Sequence, residues 1–344
     1  MMKSFNFNED VVTTEVTVTD GFGDGGVGIL TGTNLTTASL SDAQKRKYYN
    51  IQFNSKDHLS VAYGHIQGSG SAQQSTTVEG ETKAIYGQFF NLLETDRSAL
   101  KSNRGFLINN ITASDAYFIV AERLQMKDRL NPGTFTLSFS GSNSAGTATT
   151  LNLTDDSKVN NATAAPFGER YSIQVGSAGV ITDTTEHGHF YPDAGIFVLS
   201  GTQMSASLPG KPTYVTSGVV KPSTEMGTGL TPDLRVADAV DNAHKMVTAL
   251  SKGSVTLRSE EKQFIYDYFC RAKANEFNYS QNLTFWSGSQ YDIRHSDMIN
   301  NPQVYITEVG LYDEAGELMA IGRLSSALEK NFSSEAIIKV RLTY

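Results

Sequence analysis

Cysteine is almost missing: Cys270 is the only one in 344 residues. A lone thiol excludes an internal disulfide framework and any cysteine-based zinc cluster, so stability has to come from burial and from neighbours. Charge is scarce as well, at 19% of residues against roughly 25% in ordinary soluble domains. The balance leans acidic, with a formal net charge of -8, which disfavours general attraction to nucleic-acid phosphate or to an anionic membrane surface. Lys45-Arg46-Lys47 is the one dense basic run and reads as a solvated turn. No apolar stretch approaches the ~20 residues that cross a bilayer, and Met1 to Asp10 contains no apolar signal region. The expectation is a chain made in a cytoplasm, with no nucleic-acid partner, no membrane partner and no cofactor.

What is present is 30 glycines, much Ser, Thr and Asn, and enough apolar residues (39%, with 10% aromatic) to build cores. Val12, Thr14, Val16 and Val18 alternate with Thr13, Glu15, Thr17 and Thr19, which suits a strand. Asp20 to Gly28 is then too glycine-rich for a regular element. Together these predict an extended arm docking on this protein or on a neighbour, with Phe22 in the contact. Tyr48 to Ile66 reads as one or two strands, ended at Gly68-Ser69-Gly70-Ser71. Thr76 and Glu79 have capping-box spacing and predict a helix in which Ile85, Phe89, Leu92 and Leu93 share a face.

From Ile108 to Val220 the pattern is strand after strand. Tyr117 to Val120 leads to an Asn131-Pro132-Gly133 turn, and Thr134 to Phe139 alternates strictly. Leu151 to Leu153, Tyr171 to Val175 and Ile196 to Leu199 follow, a spacing that predicts a β-sandwich. Thr231-Pro232-Asp233 opens a helix with an apolar stripe of Val236, Val240, Ala243, Val247 and Leu250, and Lys252-Gly253 stops it. Ser259 to Phe277 reads as a short helix passing into a strand. Three strands close the chain, at Val304 to Tyr312, Glu317 to Arg323 and Ile337 to Leu342, with a hairpin turn at Asp313-Glu314-Ala315-Gly316. The expected fold is mainly β with a few helices. Residues 1–45 form the arm, 46–104 plus 221–344 form a discontinuous α+β platform domain, and 105–220 form a β-sandwich inserted into it.

Few residues point to chemistry. Gly21 to Gly26 matches G-x-G-x-x-G, but Val27-Gly28-Ile29-Leu30 cannot open the helix that a dinucleotide site requires. The densest metal-like cluster is Asp183, Glu186, His187, His189 and Asp193. His187 and His189 would point to one face of a strand and could share a cation. Gly188 and Pro192, however, suggest a surface loop and an empty site. There is no Gly-x-Ser-x-Gly elbow, and Cys270 among aromatics reads as a small buried hydrophobe. Asp155-Asp156 and Glu260-Glu261 read as acids of a turn and a helix start. Trp286 and the many Tyr and Phe residues suit a core, a protein interface or carbohydrate. No catalytic residue is expected.

Near the C-terminus the residues become specific. The run Phe269-Cys270-Arg271-Ala272-Lys273-Ala274-Asn275-Glu276-Phe277-Asn278-Tyr279, continuing to Phe285, resembles a signature in virion structural proteins of contractile-tailed bacteriophages, including those of cyanobacteria. Ile306-Thr307-Glu308-Val309-Gly310-Leu311-Tyr312-Asp313, Glu317 to Ser325, Lys330-Asn331-Phe332 and Ala336 to Leu342 continue the resemblance. An Ile-Thr-Glu before Gly-Leu-Tyr is also similar to the base-attaching region of tail-collar fibres. Tyr63-Gly64-His65, Ala84-Ile85-Tyr86 and Leu130-Asn131-Pro132-Gly133 match more loosely. Leu283 stands where the family commonly has proline.

The resemblance implies a structural subunit of the virion, in tail or baseplate, made in the host cytoplasm. Its partners would be other virion proteins, copies of itself and tail fibres. The interface residues expected are Phe22, Val309, Leu311, Tyr312 and Ile321. Two other classes remain open: a fibre adaptor or carbohydrate-binding decoration protein of neck or capsid, and a polysaccharide-degrading enzyme. An aromatic-lined groove in the sandwich would favour the first of these, and a cleft with facing carboxylates the second.

Overall fold

The run Asp115-Ala-Tyr-Phe-Ile-Val-Ala121 is apolar at nearly every position rather than alternating, the pattern of a strand covered on both faces. The computed structural model describes residues 3–22, 29–31, 35–37, 48–70, 80–94, 105–210, 215–216, 219–220, 229–232 and 242–344, and it places that strand inside a large sheet between two cores. The fold is mainly β with a few helices. Its principal elements are β1 (Val11–Gly21), β2 (Tyr48–Phe53), β3 (Lys56–His65), α1 (Glu81–Leu93), β4 (Asp115–Ala121), β5 (Thr136–Ser142), β6 (Ala148–Asp155), β7 (Gly168–Ser177), β8 (Val180–Tyr191), β9 (Ile196–Ser200), α2 (Gly201–Ser207), α3 (Asn242–Ser251), β10 (Ser254–Thr256), β11 (Arg258–Ala272), β12 (Val304–Tyr312), β13 (Leu318–Lys330) and β14 (Ala336–Thr343). The chain divides into a larger unit, 18–261, and a smaller one, 1–17 with 262–344.

In the larger unit the strands run β10-β5-β6-β7-β8-β9-β4-β3-β2, with the short strands Ile29–Thr31 and Leu35–Thr37 extending the two ends. These pairings are antiparallel. Tyr117, Ile119 and Ala121 of β4 face one core, and Ala116 and Phe118 face the other. In the first core α3 packs on β2, β3 and β5, that is, on strands from both ends of the sheet. The sheet therefore curls around this helix. Phe135, Phe190 and Phe197 fill the same core, with the latter two rings stacked at 4.8 Å across the β8–β9 pair.

The second core lies under α1, where Phe89 stacks on Phe118 at 4.1 Å. The helix comes this close because residue 64 is glycine: a Cβ there would stand 2.8 Å from the Tyr86 backbone nitrogen. The buried residues of α1 are Thr82, Tyr86, Phe90 and Leu93, whereas Leu92 is 43% exposed. The helix is thus rotated by about one position from the expected face. Thr76 and Glu79 lie outside the described residues, and the helix cap is Gly80.

Several other expectations are corrected. Residues 105–220 are not an inserted sandwich: β4 pairs with β3 and β5 pairs with β10, so these strands are the middle of a sheet whose ends come from 48–65 and 254–256. Short-strand spacing reveals strands but not their hydrogen-bonded partners. Of the expected 1–45 arm, β1 lies beside β11 and the short strands Ile29–Thr31 and Leu35–Thr37 join the large sheet, so these described strands dock on their own chain rather than on a neighbour. Gly23 to Gly28 fall outside the described residues. Residues 258–272 form one continuous strand with no helical start, and Glu260 pairs with Arg129. Thr231 donates its hydroxyl to the Pro209 carbonyl. Residues 233–241, where the expected helix would begin, are outside the described residues, and α3 ends at Ser251 beside Lys252-Gly253 as expected.

In the smaller unit β11 lies between β1 and β14. Asp267 accepts two hydrogen bonds from the Arg341 guanidinium, at 2.8 and 3.0 Å, and stands 2.7 Å from Lys339; these cations hold its carboxyl well below the usual carboxylate range. β12 and β13 form a separate two-stranded hairpin. It turns at Asp313 to Gly316, where Gly316 has φ +84°, and Gly322 on its inner side approaches Val340 of β14. Among the described residues of this unit, the buried apolar ones are Ala272, Phe285, Val304, Leu311 and Ala336.

Candidate functional site

The two candidate metal ligands lie on β8, and their surroundings differ from the expected surface loop. His187 and His189 are both buried in a strand paired on each side, with β7 and with β9. Gly188 is not a loop signal: a Cβ at this position would fall on the Val198 carbonyl oxygen of β9.

Alternation puts the two imidazoles on one side of the strand, yet their nitrogens are engaged separately. His187 has Nδ1 2.9 Å from the Thr185 carbonyl and Nε2 2.9 Å from the Ser207 hydroxyl. His189 lies between two carboxylates, with Nδ1 3.6 Å from Glu94 and Nε2 3.4 Å from Glu186. Asp183 accepts from the Thr185 amide and Asp193 from the Glu169 amide. Among the described residues no three His, Cys, Asp or Glu side chains are grouped to hold a metal ion.

What β8 carries instead is an ionic cluster around the buried His189 that sequence reasoning missed. Glu94 follows α1, far from His189 in the chain, and no local pattern announces the pair. Tyr191 donates to Glu94 at 2.7 Å and Arg170 at 3.0 Å. Ser172 donates to Glu186 at 2.6 Å and the Asn109 amide at 2.7 Å. Burial opposes charge on His189, but Glu186 and then Glu94 outweigh it and hold the imidazole above its usual value. Burial likewise pushes Glu186 up, while His189, Ser172 and Asn109 together bring it down to about 2. Glu94 is also held low, against its burial, by His189, Tyr191 and Arg170.

The signs define a pH window. A raised imidazole contributes stability below its unfolded value of about 6.5, and this is lost as pH rises through the folded value. The two depressed carboxylates contribute above about 4.5 and lose it as pH falls. The cluster is therefore fully stabilising between about 4.5 and 6.5. His65 and His187 are held below the ordinary imidazole value by burial, so their contributions are complete above pH ~6.5. A wild-type denaturation midpoint that falls from pH 6 to pH 8.5, and a His189→Gln midpoint that does not, is the expected result. Equal pH slopes in the two proteins would rule the cluster out as the source.

The remaining chemical candidates have structural partners. Asp155 is buried, accepts from the Gly133 amide through both oxygens at 3.0 and 2.8 Å, and so pins the Asn131-Pro132-Gly133 turn. Asp156 accepts from the Ser172 amide at 3.0 Å. Cys270 is half-buried rather than buried, and burial followed by nearby Asp10 pushes its thiol up, away from the reactive thiolate. The carboxylates that do face one another, Glu94 and Glu186, have His189 between them.

The expected interface residues separate into three groups. Phe22 is a core residue, 1% exposed and edge-on to His58 at 5.9 Å, so its assignment to a contact is corrected. Leu311 is buried and Val309 half-buried on the inner side of the hairpin. Tyr312 and Ile321 are exposed. The smaller unit also exposes Tyr305, Leu318, Met319, Phe332 and Ile337, each 47–70% exposed.

The same unit holds an open pocket of about 370 Å3, lined in part by Phe277, Phe285, Tyr305, His295 and Gln303. Trp286 borders this region and donates its indole N–H to the Ser280 carbonyl at 2.7 Å. No helix among the described residues is long and apolar enough to cross a membrane. Comparison with protein-family models, with curated proteins and with solved structures found no match.

Proposed function

We propose that this chain is a structural subunit of a contractile-tailed phage virion, placed in the tail or baseplate and built in repeated copies beside other virion proteins. The observation that carries this reading is the imbalance of the smaller unit. Its described residues bury five apolar side chains, two of them alanine, while Tyr305, Tyr312, Leu318, Met319, Ile321, Phe332 and Ile337 remain open to solvent. So small a core does not offset an ordering cost of ~1–2 kcal/mol per residue. Exposed apolar side chains in this number on so small a unit mark a protein contact. The stronger phage-like residue runs fall on this unit, and no reacting group is required of a subunit that acts by assembly. The experiment is location: label the chain and image whole particles. Signal on tail or baseplate is expected, and signal confined to the capsid shell would remove the tail assignment.

The pocket favours a second reading, a fibre adaptor or decoration protein that binds carbohydrate. Its walls combine aromatic rings with an uncharged amide, at a volume suited to one or two sugar rings. Titration with a panel of neutral oligosaccharides, monitored through Trp286 fluorescence, tests it. Saturable binding that Tyr305→Ala abolishes would support the second reading, and a flat titration would remove it.

A further inference from the structure

We infer that the outer face of the β12–β13 hairpin is where this chain pairs with a second copy of itself, an inference that rests on the reading of the protein as a repeated subunit. Tyr312, Leu318, Met319 and Ile321 are 47%, 47%, 70% and 55% exposed. The pairing register makes them one patch: Tyr312 is opposite Leu318, and Gly310 is opposite Ile321. Gly310 is the floor of the patch, since a Cβ there would stand 2.9 Å from the Tyr312 ring and 3.1 Å from Leu318. The inner face is already occupied, with Leu311 buried and Gly322 against Val340, so these four side chains have no place to turn inward. An aromatic and a methionine at the centre, with charge confined to the rim, is the anatomy of a protein interface.

Charge identifies the occupant. Between Val304 and Glu329 the only cation is Arg323, whose side chain is 81% exposed and 3.4 Å from Glu308 at one end of the patch. The turn at the other end carries Asp313, Glu314 and Glu317, all exposed. A two-fold rotation about the middle of the patch brings Arg323 of each copy to the acidic turn of the other and lays the apolar centres together. Stacking in the same sense would set acid against acid. The patch is therefore self-complementary in the way a closed two-fold contact requires.

The test uses the full chain and reads its mass in solution across a concentration series by sedimentation velocity. The wild-type chain is expected to form dimers. Ile321→Asp should raise the dissociation constant about thirtyfold or more, as loss of a central anchor does. At a concentration where the wild type is monomeric it should leave the thermal unfolding profile unchanged, because residue 321 is exposed in the single chain and only the dimer gains stability from the contact. Arg323→Glu alone and Glu314→Lys/Glu317→Lys alone should each associate poorly, since each sets like charges together. An equimolar mixture of the two should associate as wild type does, because both contacts are then opposite in sign. Rescue in the mixture requires that the partner be this same chain.

A wild-type chain that stays monomeric at every concentration, association untouched by Ile321→Asp, or a mixture no better than its components would each overturn the inference. If the label appears in particles while the chain never self-associates, the pairing fails and the virion reading stands. If the chain dimerises as expected but labels no particle, the virion reading fails instead.

Discussion

Gly188→Ala is expected to destabilise the larger unit by about 3 kcal/mol, at the upper end of what overpacking costs. The added Cβ falls on the Val198 carbonyl oxygen and within 3.1 Å of the Leu199 Cα. Both atoms are backbone of the paired strand, so no side-chain rotation relieves the overlap. β8 and β9 would have to separate where Gly188 is in register with Leu199, and the Phe190–Phe197 stack in the core beneath would open with them. Gly87→Ala is the matched control. Residue 87 lies in α1 with nothing within 4 Å of its would-be Cβ, so alanine there is expected to stabilise by about 0.5–1 kcal/mol through helix propensity. Urea unfolding of the two variants should move the midpoint in opposite directions. Equal, small shifts would mean that β8 and β9 do not approach as closely as the Gly188–Val198 contact requires.

Lys330→Met is expected to unfasten the loop after β11, at a cost of about 3 kcal/mol or more. The Lys330 side chain is fully buried, and its ammonium donates to the Ala274 carbonyl at 3.1 Å, to Asn278 Oδ1 at 2.7 Å and to the Asn331 carbonyl at 2.8 Å. Asn278 in turn donates to the Ala274 carbonyl at 2.6 Å. Methionine keeps the length and the apolar stem but removes all three donors, leaving the acceptors with less than their full complement. Hydrogen exchange should accelerate across residues 273–285 while the larger unit keeps its protection. Unchanged exchange in that loop would show that the ammonium is not what holds it. The contact also gives a physical account of two residue runs that look unrelated in sequence. Ala274-Asn275-Glu276-Phe277-Asn278 and Lys330-Asn331 lie far apart in the chain and meet at one buried cation.

The legible parts of this protein were those decided within a few residues. The Asp313 to Gly316 turn, the Asn131-Pro132-Gly133 turn, the strands around Phe139, Leu153, Ile173 and Val198, and the end of α3 at Lys252-Gly253 all follow from local backbone preference and period. Where local signals were ambiguous, tertiary pairing decided. Phe264, Ile265, Tyr268 and Phe269 satisfy a helical stripe, yet the segment is a strand, because β14 offers eight paired positions from Ile265 to Ala272. Phe22 lies beside a glycine run and has no periodic neighbours, so nothing local announced that it would be buried at 1% exposure.

Composition and period alone determined that this chain is mainly β, that it has no disulfide framework, and that its last strands carry more apolar side chains than a small hairpin can cover. Only the tertiary structure decided which strands are neighbours, that residues 105–220 are the centre of a sheet rather than an insert, and that His189 lies between Glu94 and Glu186 instead of beside His187. It also decided that Leu311 faces inward while Tyr312 and Ile321 face out. The physical reason is range. Turn chemistry and side-chain alternation act over two to four residues, whereas strand order and buried ion pairs depend on contacts such as Arg129–Glu260 and Glu94–His189, which form only once the sheet has curled and brought distant segments together.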